Sequence, residues 1–248
     1  HGGGCAGHPR AGHRRGRAGP MSGLRADVAV AWAIARKDAL SELRGRQAAG
    51  STLFFAGLVL LLFGFALGPD SRRLAEAAPG LLWLAIVFGG LLTVARLHQL
   101  EAEDGALDEL ARYPVERRAI YLGKALAGLA AMLVLGGLLL PLVAVLYGLD
   151  LAAWPALGLV LLLGAAGFAA VGTFYAGVTV RLRAREVMLP LLMLPVIAPL
   201  LLAAVKATGA ALGGDPLGEL GAWLQLLAGF DVIMLIAGAA SYGYLLEE

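Results

Sequence analysis

The sequence predicts an all-α, polytopic membrane protein with six transmembrane helices, on the basis of composition, apolar run length and charge placement. Of its 248 residues, 59% are hydrophobic and only 15% are charged, whereas soluble domains carry about 25% charged residues. The mean hydropathy is +0.78. Apolar stretches of about 18 residues or more can cross a bilayer core, and the short alternating segments of a membrane β-barrel are absent.

The first twenty residues are rich in glycine and arginine and lack the apolar core of a signal peptide. Such a composition cannot pack, so residues 1–20 are predicted to be a disordered leader or a non-native extension, with Met21 as the natural start. This segment holds three of the four histidines and the single Cys5. The remaining chain therefore cannot form a disulfide, a Cys-x-x-Cys redox pair, a zinc cluster or a covalent haem attachment by itself.

Residues 21–50 are predicted to form a cytoplasmic amphipathic helix that lies in the membrane interface. Its apolar stripe has helical spacing, with most of the charged residues on the other side. The stripe consists of Val28, Trp32, Ala35, Ala39 and Leu43. We expect Trp32 to point inward and the cations to face anionic headgroups. The alternative is a solvated N-terminal helix.

Residues 51–248 are predicted to form a six-helix transmembrane domain. The predicted spans are Ser51–Gly68, Pro79–Leu97, Ala125–Tyr147, Trp154–Val180, Val187–Val205 and a sixth that ends at Leu246. Pro79 and Pro155 are placed in first turns, where a missing N–H costs nothing. Pro190, Pro195 and Pro199 should bend the fifth span, as a moving element or as a fixed kink.

The placement of lysine and arginine predicts how the spans are oriented. Thirteen lie in three segments on one side, residues 25–46, 96–124 and 181–185, and only Arg72, Arg73 and Lys206 lie on the other. Positively charged loops stay cytoplasmic. Both termini and the polar segment His98–Lys124 are therefore predicted to be cytoplasmic, which requires an even number of spans.

The segment His98–Lys124 is a polar break in an otherwise apolar chain, and it is longer than the usual connection of about two to eight residues between helices. Leu107 and Leu110 share one face of an amphipathic turn, opposite Asp108, and Pro114 ends that turn. A short helix with exposed leucines suits insertion into a partner's groove. The alternative is an ordinary connecting loop.

The sequence contains no motif for catalysis. Gly123-Lys124 does not complete a phosphate-binding loop, and neither a nucleophile elbow nor a zinc-protease motif occurs. We therefore expect no enzyme activity, no nucleotide site, no bound metal and no nucleic-acid partner. Because the spans hold almost no ionisable groups, Asp231 is the one serious candidate for ion coupling, and energy for transport is expected from a partner.

Asp231 and His98 each allow two interpretations. Asp231 could cap the sixth membrane helix after an interfacial segment at Gly221–Phe230, since Gly229 suggests a break. It could instead be a buried polar site facing a substrate path. His98 could be a haem or metal ligand, or a solvated cap at the end of the second span; metal sites need several convergent ligands. The cap interpretation is favoured for both residues.

At this point the chain resembles a known family. The run from Glu101 to Leu110, with Tyr113-Pro114 and Gly123-Lys124 after it, resembles the cytoplasmic loop of type-2 ABC exporter permeases. The full layout is similar to the cytochrome c maturation protein B family, the permease subunits of haem exporters, over about residues 24–248. Further matching features are Lys37-Asp38, Ala78 to Trp83, Leu189-Pro190, Leu194-Pro195 and the ending Tyr244 to Glu248.

The resemblance implies a six-helix permease of a bacterial inner membrane that docks a separate cytoplasmic ATPase through the segment 98–124. The residues implied in this coupling are Glu101, Glu103, Asp104, Gly105, Leu107, Asp108 and Leu110. ATP would act only through that partner. Other implied partners are the haem-handling membrane proteins of c-type cytochrome maturation, membrane lipids and a second copy of the chain.

Haem is implied as the transported or handled ligand, without covalent attachment, although the spans offer no histidine for a direct haem site. Two other functions remain open. The chain could be a type-2 permease for a lipid, a drug or a polysaccharide. It could also be a stand-alone secondary transporter, for which Asp231 would be essential.

Overall fold

The computed structural model describes residues 28–37, 46–103, 117–149, 152–179 and 185–245, and these parts of the chain form seven helices and no strand. The first, α1, covers residues 28–37. The others are α2 (Arg46–Leu67), α3 (Ser71–Glu103), α4 (Arg117–Tyr147), α5 (Trp154–Thr179), α6 (Arg185–Leu212) and α7 (Leu220–Leu245). Helices α2 to α7 are each long and apolar enough to cross a membrane. The predicted all-α class with six spans is confirmed.

The boundaries of the second span differ from the prediction. Helix α3 begins at Ser71, so Pro79 lies inside the helix and not in its first turn. The helix starts earlier because Asp70 caps it, accepting hydrogen bonds from the backbone N–H groups of Arg72 at 3.0 Å and Arg73 at 3.4 Å. An aspartate at this position satisfies N–H groups that have no partner within the helix.

The sixth membrane helix also begins earlier than the cap interpretation of Asp231 requires. Helix α7 is continuous from Leu220 to Leu245 and passes through Gly229 without a break, so the predicted cap at Asp231 is wrong. Asp215 is the acceptor at this helix start, bonding to the backbone N–H of Glu219 at 2.8 Å and of Leu220 at 3.2 Å. A glycine does not interrupt the helix because a break within hydrocarbon would leave backbone groups without hydrogen bonds.

Helix α5 is the centre of the bundle. It packs against α3, α4, α6 and α7. Among the described residues, the extensive contacts of α2 are with α3 and α4 alone. The spans of α3 and α5 are each 67% buried, and those of α2 and α7 only 17% and 11%. Large apolar side chains such as Phe54 and Phe65 on α2 are exposed, which suits helices whose outer faces meet lipid tails.

The two ends of the bundle are distinct. We name the end at which α2, α4 and α6 begin, and α3, α5 and α7 end, the basic end. Towards the opposite end, Trp83 of α3 is fully buried and its Nε1 donates a 2.9 Å hydrogen bond to Thr208 Oγ1 of α6. Its ring occupies the space next to Gly164 of α5, where a side chain would collide with it. Three helices are thereby fixed at one residue.

Residues 1–27 and 38–45 lie outside the described residues, so the leader and half of the predicted interfacial segment remain predictions. Within α1, the residues buried against the bundle are Ala31 and Ala35, while Val28 and Trp32 are 64% and 66% exposed. The inner face of α1 is thus made of small side chains. The larger apolar side chains of the predicted stripe, Val28 and Trp32, lie outside this buried face.

Candidate functional site

The predicted coupling residues lie at the end of α3 and in the segment that joins α3 to α4. Helix α3 extends through Glu101 and Glu103, which form part of its last turn. Five of the predicted coupling residues lie outside the described residues: Asp104, Gly105, Leu107, Asp108 and Leu110. Helices α3 and α4 pack against each other, so residues 104–116 join two neighbouring helices at the basic end. The coupling role of these residues remains a prediction.

Helix α1 contacts the start of α4 through backbone atoms. A Cβ atom at Gly123 would lie 2.8 Å from the carbonyl oxygen of Ala31 and 2.9 Å from Cβ of Ile34. Only a glycine allows two helices to approach this closely. The neighbouring Lys124 is 3% exposed, so its long side chain is enclosed as well. The start of α4 and α1 are therefore in direct contact at Gly123.

Tyr121 connects α4 to two other helices near the basic end. Its side chain is fully buried, and its hydroxyl donates to the carbonyl oxygen of Ala170 on α5 at 3.1 Å. The carbonyl oxygen of Met234 on α7 lies 3.4 Å from the same hydroxyl. The phenol ring fills the space beside Gly238, where any side chain would collide with it. Tyr121 therefore holds α4, α5 and α7 together.

Asp231 lies in the middle of the bundle. It is at the midpoint of the span Leu220–Ser241 and is 6% exposed. A Cβ atom at Gly167 would collide with its Oδ1 and would lie 2.7 Å from a methyl group of Leu200. Gly167 and Leu200 are themselves near the midpoints of their spans, Trp154–Thr179 and Val187–Leu212. The carboxyl group thus faces α5 and α6 at the level of the bilayer centre.

The Oδ1 atom of Asp231 is buried and has no hydrogen-bond partner within the described residues. A buried polar atom without a partner costs free energy, and ionisable groups inside membranes are rare and mark functional sites more often than packing. The polar-site interpretation of Asp231 therefore remains a prediction. The carboxyl group lies next to Gly167, and the space that it occupies is free because this glycine has no side chain.

No metal centre is formed by the described residues, since they contain no group of three histidine, cysteine, aspartate or glutamate side chains. His98 belongs to α3, five residues before the helix ends, and its possible roles remain predictions.

Two buried residues were not identified as site residues from the sequence. Trp83 was noted only as part of the family resemblance, and its partner Thr208 lies 125 positions later. Tyr121 stands two residues before Gly123, and its contacts with α5 and α7 have no local signature. Gly164 and Gly238 lie next to these rings, but the chain has 35 glycines, so a glycine alone does not indicate such a contact.

Comparison with known proteins identifies the family. Residues 29–244 match the family described as CcmB protein, which is most of the chain. The chain belongs to the CcmB family. The resemblance found in the sequence is confirmed, and CcmB membership together with six apolar helices makes this chain a multi-pass membrane protein.

Three relatives of this CcmB family member carry the name heme exporter protein B. The protein of Rhodobacter capsulatus is 37% identical over 175 residues, which is 68% of this chain and 78% of that protein. The Pseudomonas aeruginosa protein is 34% identical over 199 residues, or 78% and 86% of the two chains. The Bradyrhizobium diazoefficiens protein is 34% identical over 212 residues, or 83% and 92%.

Proposed function

We propose that this protein is the permease subunit of an ATP-driven ABC complex that exports or delivers haem for the maturation of c-type cytochromes. The observation that carries the proposal is the CcmB family match over residues 29–244. Relatives named heme exporter protein B also match this chain over most of their length. The six-helix bundle supports the proposal, because a permease subunit consists of several helices that cross the membrane. The chain itself is a transporter component and not an enzyme.

Energy would come from a separate cytoplasmic ATPase that docks on the segment joining α3 and α4. The packing at the basic end supports this proposal. A force on residues 104–116 acts first on the adjoining ends of α3 and α4. The contact between Gly123 and Ala31 carries it to α1, and the Tyr121 hydroxyl, bonded to Ala170, carries it to α5. A docking partner would therefore move several helices at once.

The proposed orientation places the basic end in the cytoplasm of a bacterium, with the protein in the inner membrane. The excess of lysine and arginine on that side supports it. Haem-handling membrane proteins are the proposed further partners, with lipids and a second copy of the chain around the bundle. The exposed apolar faces of α2 and α7 offer surface for such neighbours.

Docking can be tested by replacing Leu107 and Leu110 together with glutamate and measuring how much ATPase subunit copurifies with the tagged permease. Two charges in an apolar groove should reduce the retained ATPase about tenfold or more. Insertion into the membrane should be unchanged. The matched control is Leu217→Glu, because Leu217 is 79% exposed and lies outside the helices at the opposite end. Full retention of the ATPase by the double variant would refute the docking proposal.

A stand-alone secondary transporter is the second candidate, and the buried, unpartnered Oδ1 of Asp231 favours it. Under our proposal the purified chain, reconstituted alone into vesicles, moves no haem across the bilayer under an ion gradient. Transport by the chain alone that is abolished by Asp231→Asn would support the second candidate instead. Asp215→Asn is the matched control, because asparagine caps a helix about as well as aspartate.

A further inference from the structure

An apolar groove lies at the basic end, between α1 and the membrane bundle. Its volume is about 460 Å³. Val28 and Trp32 of α1 line one side, α4 lines another from Arg118 to Leu129, and Leu235 of α7 and Ala166 of α5 also line the groove. Ala31, whose carbonyl oxygen lies against Gly123, also lines the groove, so the groove adjoins the proposed coupling contact.

The length of the groove matches one leaflet of a bilayer. Arg118 and Leu129 line it eleven positions apart on one helix, which at 1.5 Å per residue is about 16 Å. Half of a hydrocarbon core of about 30 Å is about 15 Å. Ala166, at the deep end, lies near the midpoint of the span Trp154–Thr179. The groove therefore extends from the interface to the bilayer centre.

The polarity of the groove changes once along this length. Among the described residues, Arg118 is the charged side chain that lines it, at the end nearest the interface, and the others are apolar. Trp32 also lines the groove, and tryptophan is a residue type that lies at the level of lipid headgroups. The groove thus presents a cation at headgroup depth and hydrocarbon below it.

We propose that this groove binds an anionic phospholipid from the leaflet at the basic end, with its phosphate on Arg118 and one acyl chain along α4. The positive charge and the depth of one leaflet both fit this ligand, since basic pockets between membrane helices bind anionic headgroups. A polypeptide segment fits less well, because its backbone groups would enter hydrocarbon without hydrogen-bond partners. The bound chain covers Val28 and Trp32, and so holds α1 against α4.

Native mass spectrometry of the purified full-length chain, with phosphatidylglycerol and phosphatidylcholine of identical acyl chains added in turn, tests the proposal. We expect tighter binding of phosphatidylglycerol. Arg118→Gln should weaken that binding about fivefold, the effect of one cation near a membrane surface, and leave phosphatidylcholine unchanged. Leu126→Trp should weaken the binding of both lipids by filling the groove.

Two control variants separate the groove from general effects. Arg73→Gln removes an exposed arginine at the opposite end, and Leu138→Trp enlarges an exposed leucine on the same helix outside the groove. Both should bind lipid like the original chain and show the same helical content as Arg118→Gln and Leu126→Trp. Equal binding of the two lipids, or the same loss in Leu138→Trp as in Leu126→Trp, would overturn the proposal. Uptake of added haem in an Arg118-dependent manner without retained phospholipid would overturn it too.

Discussion

The two halves of the bundle are held together by different kinds of contact. Towards the opposite end, Trp83 is bonded to another side chain, Thr208, and its ring fills the space beside Gly164. Towards the basic end, Tyr121 is bonded to a backbone carbonyl, and α1 adds a contact between backbones at Gly123. The half near Trp83 borders a cavity of about 10 Å³ beside Thr208, whereas the half near Tyr121 borders a groove of about 460 Å³.

This difference indicates where the bundle is rigid and where it can move. A buried aromatic ring among three helices loses many contacts if any of them shifts. A hydroxyl bonded to a backbone carbonyl can exchange that acceptor for another one on the same helix at little cost. We therefore expect loss of the Trp83 side chain to affect stability, and loss of the Tyr121 hydroxyl to affect transport more than stability.

The largest effect is expected for Trp83→Ala. Removal of a buried tryptophan typically costs about 3–5 kcal/mol through lost burial and the remaining cavity. This loss is measured as the difference in the free energy of unfolding between the purified variant and the original chain in detergent. Trp83→Phe is the milder control. If the free energy of unfolding of Trp83→Ala lay within about 1 kcal/mol of that of the original chain, the opposite end would not be the rigid half.

An intermediate effect is expected for Gly238→Ala. Its new methyl group collides with the Tyr121 ring, and overpacking of this kind costs about 1–3 kcal/mol. Gly229→Ala on the same helix is the matched control, because no heavy atom lies within 4 Å of the position that its Cβ would occupy. The difference between the two thermal unfolding midpoints reports the contact, and equal midpoints would argue against the packing of α7 on Tyr121.

The smallest change in stability is expected for Tyr121→Phe, which keeps the ring and removes the hydrogen bond to Ala170. Hydrogen bonds between membrane helices contribute about 0.6 kcal/mol on average. If this hydroxyl links α4 to α5 during transport, the yield of c-type cytochrome in cells should fall by more than the loss of folded permease. A fall in strict proportion to permease abundance would show a purely structural role.

The sequence predicted those features that depend on long apolar runs. All six spans have the length and hydropathy by which they were identified, and Pro155 lies in a first turn as expected. The position of Pro79 was missed because Asp70 and the charged first turn of α3 were assigned to a loop. Polar residues that extend a membrane helix beyond the hydrocarbon carry no hydropathy signal.

The contacts within the bundle could not be predicted in the same way. Helices that are apolar on every side show no periodic stripe that marks the buried face, so the partners of Trp83 and Tyr121 remained hidden. Asp231 was identified as unusual, but Gly229 was taken as a break because glycine interrupts helices more readily in water than in lipid. The residues of the predicted coupling site between 104 and 116 lie outside the described residues.

The carboxyl group of Asp231 has a further consequence for α7. With only 11% of its span buried, this helix has apolar side chains nearly all around it, and hydrophobicity alone would leave its rotation about its own axis poorly determined. Turning α7 by half a revolution would move Asp231 from Gly167 into lipid, at a cost of about 2.5–3.5 kcal/mol for an aspartate at the helix centre. One polar residue thereby fixes which side of a nearly uniform helix faces the bundle.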